Sequence, residues 1–143
     1  MWYDAIEIAR FIIAECFKKN INISNLKLQK MLYFLWVDFF KRTGRMLFFD
    51  EFYAWQLGPV VPSVYYEYCS YAGRPIVEYY NTNISMADQA ILDGLVRQYA
   101  NIPASQLVNM THRKGSAWDT VFRDGMGNRN VIPFDLIIQK EAG

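Results

Sequence analysis

The sequence predicts a mainly α-helical single domain, 1–143, of six or seven helices with one small strand pair at about residues 47–55 and 75–80. Three observations carry this. Long segments near the amino terminus repeat apolar residues at helical spacing. Ser, Asp, Pro and Gly punctuate the chain where helices would start and stop. Only "MLFFDEFYAW" (46–55) and "PIVEYY" (75–80) have β-type composition without a helix cap. A chain of 143 residues can bury a core without metals or disulfides.

The first helix is expected over 5–19, opened by Asp4 and Glu7 in a capping-box-like arrangement. Ala5, Ile8, Ile12 and Cys16 share its apolar face, while Phe11 falls among Glu7, Arg10 and Lys18 and is expected at the surface. The second helix spans 25–42, with Ser24 as N-cap and Gly44 just past its end. Leu28, Leu32, Tyr33, Leu35, Trp36, Phe39 and Phe40 make it apolar almost all round, which places it in the middle of the domain. Its narrow polar stripe is Lys27, Lys30, Asp38 and Lys41. Gln29 is the exception, a polar side chain on the buried side that needs hydrogen-bond partners.

In "EFYAWQLGPVVPSVYYEY" (51–68), Phe52, Ala54 and Trp55 alternate with Tyr53 as in a half-buried strand. Gly58-Pro59 makes a turn, and Pro62 opens a third helix reaching Ala72 and burying Tyr65 and Tyr68. We expect Gln29 to bond backbone in or near this turn. Ser85 caps a fourth helix to Tyr99, weakened by Gly94. Pro103 opens a fifth through "ASQLVNMTH", Ser116 caps a sixth around "AWDTVF", "RDGMGNRN" reads as a turn, and "FDLIIQKE" is a short terminal helix.

Composition narrows the function. Net charge is +1, unlike a dedicated nucleic-acid binder, although Lys18, Lys19, Lys27, Lys30, Lys41, Arg42 and Arg45 concentrate bases between residues 17 and 45. Cys16 and Cys69 both fall on apolar helix faces and read as buried free thiols. No Cys/His cluster suits a metal, and no residue pattern implies a cofactor. The amino terminus lacks the basic region of a signal peptide, and no apolar run is long enough to span a membrane. A cytoplasmic protein is expected. The lone histidine, His112, has Ser105 and Ser116 nearby in sequence but no GxSxG turn, so a catalytic triad is not supported. Adjacent Asp50 and Glu51 point to opposite faces of an extended segment and make no acid pair. "DGMGNRN" lacks both EF-hand ligand spacing and a P-loop lysine. No catalytic residue is identified.

Three blocks carry a family resemblance. "NLKLQKMLYF" (25–34), "EFYAWQLGPVVPSVY" (51–65) and "QLVNMTHRKGSAW" (106–118) resemble, in order and spacing, the signatures of the SocA-like antitoxin domain, also called Panacea, a group that includes phage-associated GepA-type proteins. The matching residues are Lys27, Leu28, Gln29, Lys30, Leu32, Tyr33, Phe34, Ala54, Trp55, Gly58, Pro59, Val60, Tyr65, Thr111, His112 and Trp118. Met31 stands in place of the usual leucine, and Leu57 where an aromatic is common. The resemblance implies a mostly helical, non-enzymatic antitoxin of a toxin–antitoxin pair, binding a protein toxin encoded by an adjacent gene. It offers no catalytic residues to transfer. Many relatives carry an added amino-terminal domain. Here the first helix starts at once, so no autoregulatory DNA-binding role is expected.

Candidate partner-binding residues are Phe11, Trp55 and Tyr66 with a basic rim of Lys27, Lys30 and Lys41. Alternatives stay open: a protease adaptor, a nucleic-acid-binding regulator using residues 17–45, or a hydrolase centred on His112. A homodimer is equally compatible with the sequence.

Overall fold

The computed structural model describes residues 2–143. The described residues form seven α-helices, four of them packed directly on the second, and a three-stranded antiparallel sheet. In chain order the elements are α1 (Ala5–Lys18), α2 (Asn25–Thr43), β1 (Phe52–Trp55), β2 (Gly58–Val60), α3 (Pro62–Tyr68), α4 (Met86–Ala100), α5 (Ala104–Thr111), α6 (Ala117–Phe122), β3 (Val131–Ile132) and α7 (Phe134–Ile137). A single 3-10 turn, Cys69–Tyr71, extends α3, and a π-helical turn, Ile138–Ala142, extends α7. Among the described residues, no helix is long and apolar enough to cross a membrane.

α2 is the central post. It touches α1, α3, α4, α5 and β2, and Leu28, Met31, Leu32, Tyr33, Leu35 and Trp36 are all essentially sealed from solvent. That matches its all-round apolar character. The local signals act as expected at its ends. Ser24 Oγ accepts from the Lys27 amide at 3.2 Å, and Gly44 takes the left-handed conformation that closes the helix. Ser85 and Ser116 cap α4 and α6 in the same way.

The sheet differs from the expected strand pair. β1 is present, but its partners are β2, through a tight hairpin pairing Trp55 with Gly58, and β3, pairing Phe52 with Ile132. Residues 75–80 form no strand. The Ile76 amide donates instead to the Ile23 carbonyl at 2.8 Å, which pins that segment beside the loop between α1 and α2 and away from β1.

Two further expectations are corrected. Phe11 is buried, at 1% exposure. α1 is contacted by α2, α3 and α4, so its covered arc extends past the apolar face and takes in Phe11 and even Glu15. Cys69 is exposed, while Cys16 is buried as expected. α3 ends at Tyr68, and the tighter turn that follows rotates Cys69 outward.

Gly58 shows how closely the hairpin packs on α2. Its φ is +119°, and a Cβ there would lie 2.7 Å from Lys30 Cε and 2.8 Å from Thr111 Oγ1. Gly58→Ala should therefore lose roughly 3 kcal/mol in chemical denaturation, from backbone strain and overpacking together. Gly94, inside α4, has nothing within 4 Å of its would-be Cβ. Gly94→Ala in the same assay should gain about 1 kcal/mol.

Candidate functional site

The polar residues of the first block, "KLQK", point inward. Lys27 is buried, and its ammonium donates to the carbonyl of Ala100, the last residue of α4. A cation suits the negative end of a helix, where carbonyls lack partners. Leu28 fills the core. Gln29, at 1% exposure, accepts through Oε1 from the Val61 amide at 3.0 Å. Val61 is the N-cap of α3 and provides no side-chain cap itself, so Gln29 satisfies that backbone group. This is the bond expected next to the Gly-Pro turn. Gln29 Nε2 in turn donates to Asn25 Oδ1 at 3.1 Å, and Asn25 Nδ2 donates to the Tyr65 carbonyl at 3.0 Å.

Lys30 is fully buried, and its Nζ donates to the Pro59 carbonyl at 2.7 Å. Burial pushes its ammonium down to about 7. Lys27 and Lys30 are thus removed from the expected basic rim. Long apolar stems let both amino groups reach carbonyls of distant elements. Lys41 is exposed, but twelve residues past Gln29 on α2 it lies about 18 Å away along the axis, far from Trp55. The rest of the basic run is also largely neutralised. Lys18 pairs with Glu15, Lys19 with Glu15 and Asp93, and Arg45 with Asp88.

The third block is structural too. The His112 ring stacks on Trp118 with centroids 3.8 Å apart, and Trp118 Nε1 donates to the Trp55 carbonyl at 2.7 Å. Burial first, then the charge of Lys30, pushes His112 below its ordinary range and favours neutral imidazole. Its Nε2 is buried without a partner among the described residues, and Ser116 Oγ donates to the Thr111 carbonyl. No hydrogen bond joins His112 to a serine or an acid among the described residues. A hydrolytic dyad is therefore absent there.

The surface feature that remains lies where the start of α2, the β1–β2 hairpin, α3 and the loop before β3 meet. They enclose an open groove of about 380 Å³. Trp55 and Tyr65 meet edge to face at 5.0 Å, and Tyr66 flanks both. Leu57 at the hairpin tip is 53% exposed and Tyr66 59%. Trp55 is half-buried, so it and Tyr66 are the expected docking residues that the structure brings together.

The sequence reading missed Arg129. Its guanidinium sits over the Trp55 ring, 4.3 Å from the centroid. Its amide donates to the Ala54 carbonyl at 2.6 Å, and its φ is +68°. The loop carrying it is held tightly. A Cβ on Gly127 would come within 1.8 Å of the Val121 carbonyl oxygen. "RDGMGNRN" is thus an ordered loop, with Arg123 and Asp124 in the left-handed region, and its Asn128 and Arg129 line the groove.

The buried Lys30 makes stability depend on pH. In the unfolded chain it titrates near 10.5, in the folded protein near 7. Between those values the unfolded chain holds a proton that the folded chain has shed. Stability should rise with pH over that window, by at most about 1.4 kcal/mol per unit, and lose this dependence below about 7. Denaturant midpoints at several pH values between 7 and 9 should show a flatter slope for Lys30→Met than for the parent.

Comparison with known proteins gives the family. The model of the Antitoxin SocA-like, Panacea domain matches residues 28–119. The chain is 35% identical over 133 residues to Antitoxin SocA of Caulobacter vibrioides (strain NA1000 / CB15N), covering 82% of this chain and 70% of that protein. No solved structure matches. The matched region contains the Gln29 and Lys30 contacts, the hairpin and the His112–Trp118 stack, and the chain belongs to the SocA-like Panacea antitoxin family.

Proposed function

We propose that this chain is an antitoxin that neutralises a protein toxin by binding it directly, without catalysis, and that the toxin is encoded by an adjacent gene. Family membership supports the antitoxin role. The observation that favours binding is the exposed aromatic surface of Trp55, Tyr65, Tyr66 and Leu57 around the groove. Aromatic side chains half-seated in a rigid scaffold are the usual anchors of protein interfaces. A stable complex would bury about 1,200–2,000 Å², so the groove would be its centre and the neighbouring surface its rim.

Leu57 and Tyr66 give the test, because both are exposed and neither touches the buried polar contacts. Neighbouring reading frames expressed alone should include one that is toxic, and co-expression with this chain should restore growth and allow co-purification. The double variant Leu57→Asp, Tyr66→Asp should keep its thermal midpoint and lose both rescue and co-purification. A toxic neighbour that the double variant still neutralises would move the docking face elsewhere. A host lacking its cytoplasmic proteases should still be rescued. Rescue that disappears there would identify an adaptor instead. If no neighbour is toxic and none co-purifies, the antitoxin reading falls.

A further inference from the structure

The groove has an electrostatic character that aromatic content alone does not predict. Among the described residues, no acidic side chain lines it, and Arg129 is the one charged group that does. Among the described residues, the Arg129 guanidinium makes no ion pair and no hydrogen bond. Its contact is the Trp55 ring. Elsewhere in the described residues Lys18, Lys19, Arg45, Arg97 and Arg113 each pair with a carboxylate. Arg129 instead presents its five donors over an aromatic face, at the edge of a mostly apolar cleft.

The backbone holds it there. Arg129 has φ +68°. Non-glycine residues in such conformations cost about 1–3 kcal/mol each. Pairing to Ala54 and the tight Gly127 contact keep the 127–130 loop in place. The guanidinium is therefore positioned before any partner arrives, which reduces the ordering cost of binding.

We infer that the groove receives an extended segment of the partner protein that carries an Asp or Glu side chain beside an apolar residue. The carboxylate would lie against Arg129, whose fork suits two parallel hydrogen bonds. The apolar residue would enter between Trp55, Tyr65 and Leu57. The exposed amide of Gln56 and that of Asn128 stand at the rim, where they can bond the segment's backbone. This rests on the binding role proposed above and specifies its chemistry.

The test pans phage-displayed libraries of short random peptides against the intact protein and against Arg129→Gln. Peptides enriched on the parent should share an acid next to an aromatic or aliphatic residue. Changing that acid to its amide should weaken binding roughly tenfold, and Arg129→Gln should do the same to the unchanged peptide. Arg129→Glu should enrich peptides with a base at that place, an outcome that a purely structural role for Arg129 would not produce. Amide shifts on adding the peptide should map to Trp55, Leu57 and Arg129. Failure to enrich any peptide, enrichment without an acid, or equal affinity for Arg129→Gln overturns the inference. Toxin rescue by the parent is scored separately, so the antitoxin reading can survive that result. Loss of rescue by the parent would remove the antitoxin reading whatever the peptides show.

Discussion

The fold depends on three buried hydrogen bonds made by one turn of α2. Lys27 closes the end of α4, Gln29 closes the start of α3, and Lys30 holds the Pro59 carbonyl in the hairpin. Each bond satisfies a backbone group that its own element leaves open. A buried donor or acceptor without a partner costs about 1–3 kcal/mol, so none of these elements can shift cheaply off α2. Leu28, between them, is sealed in the core. The turn thus fixes an α-helix, a hairpin and a second helix in one frame. The same contacts explain the glycine in the second block, because Lys30 Cε and Thr111 Oγ1 occupy the space where a side chain at position 58 would go.

What was legible in the sequence follows from how local each signal is. Ser24, Ser85 and Ser116 could be read as caps because a cap needs only the next three residues. Gln29 was legible for a different reason. A lone amide among apolar residues must be paired, and the nearest irregular backbone was the Gly-Pro turn. Lys27 and Lys30 were not legible. Pattern reading assigns lysines to solvent, yet a four-carbon stem can bury itself and deliver the ammonium to a carbonyl in a distant element. The clue available was the pair of Lys30 with a Gly-Pro that leaves a carbonyl exposed to α2.

The strands show the same limit. "PIVEYY" has strand composition, but pairing needs a neighbour, and the positions beside β1 are taken by β2 and by a two-residue β3 too short to show any alternation. Composition favours a strand, and topology decides whether one forms. Arg129 escaped for a related reason. Its loop contains glycine and asparagine at turn spacing, and nothing in that pattern says that its guanidinium will lie on Trp55, more than seventy residues earlier in the chain.

Inward-facing signature residues have a consequence for recognition. Lys27, Gln29, Lys30 and the His112–Trp118 stack are spent on holding elements together. Residues at the hairpin tip and on the outer face of α3 make few such contacts, and the 127–130 loop is held through its backbone while Asn128 and Arg129 are exposed. Leu57 and Tyr66 are more than half exposed, and Arg129 is held by its backbone amide on Ala54 and by the Trp55 ring. Substitution at an exposed position away from caps and buried networks usually changes stability by less than about 0.5 kcal/mol. Positions 57, 66 and 129 can therefore vary without loosening the lock on α2. The aromatic pair of Trp55 and Tyr65 sits on the boundary between these two sets. Trp55 gives its carbonyl to Trp118 and its ring to Arg129, so the scaffold that keeps the fold together also aims the surface that would meet a partner.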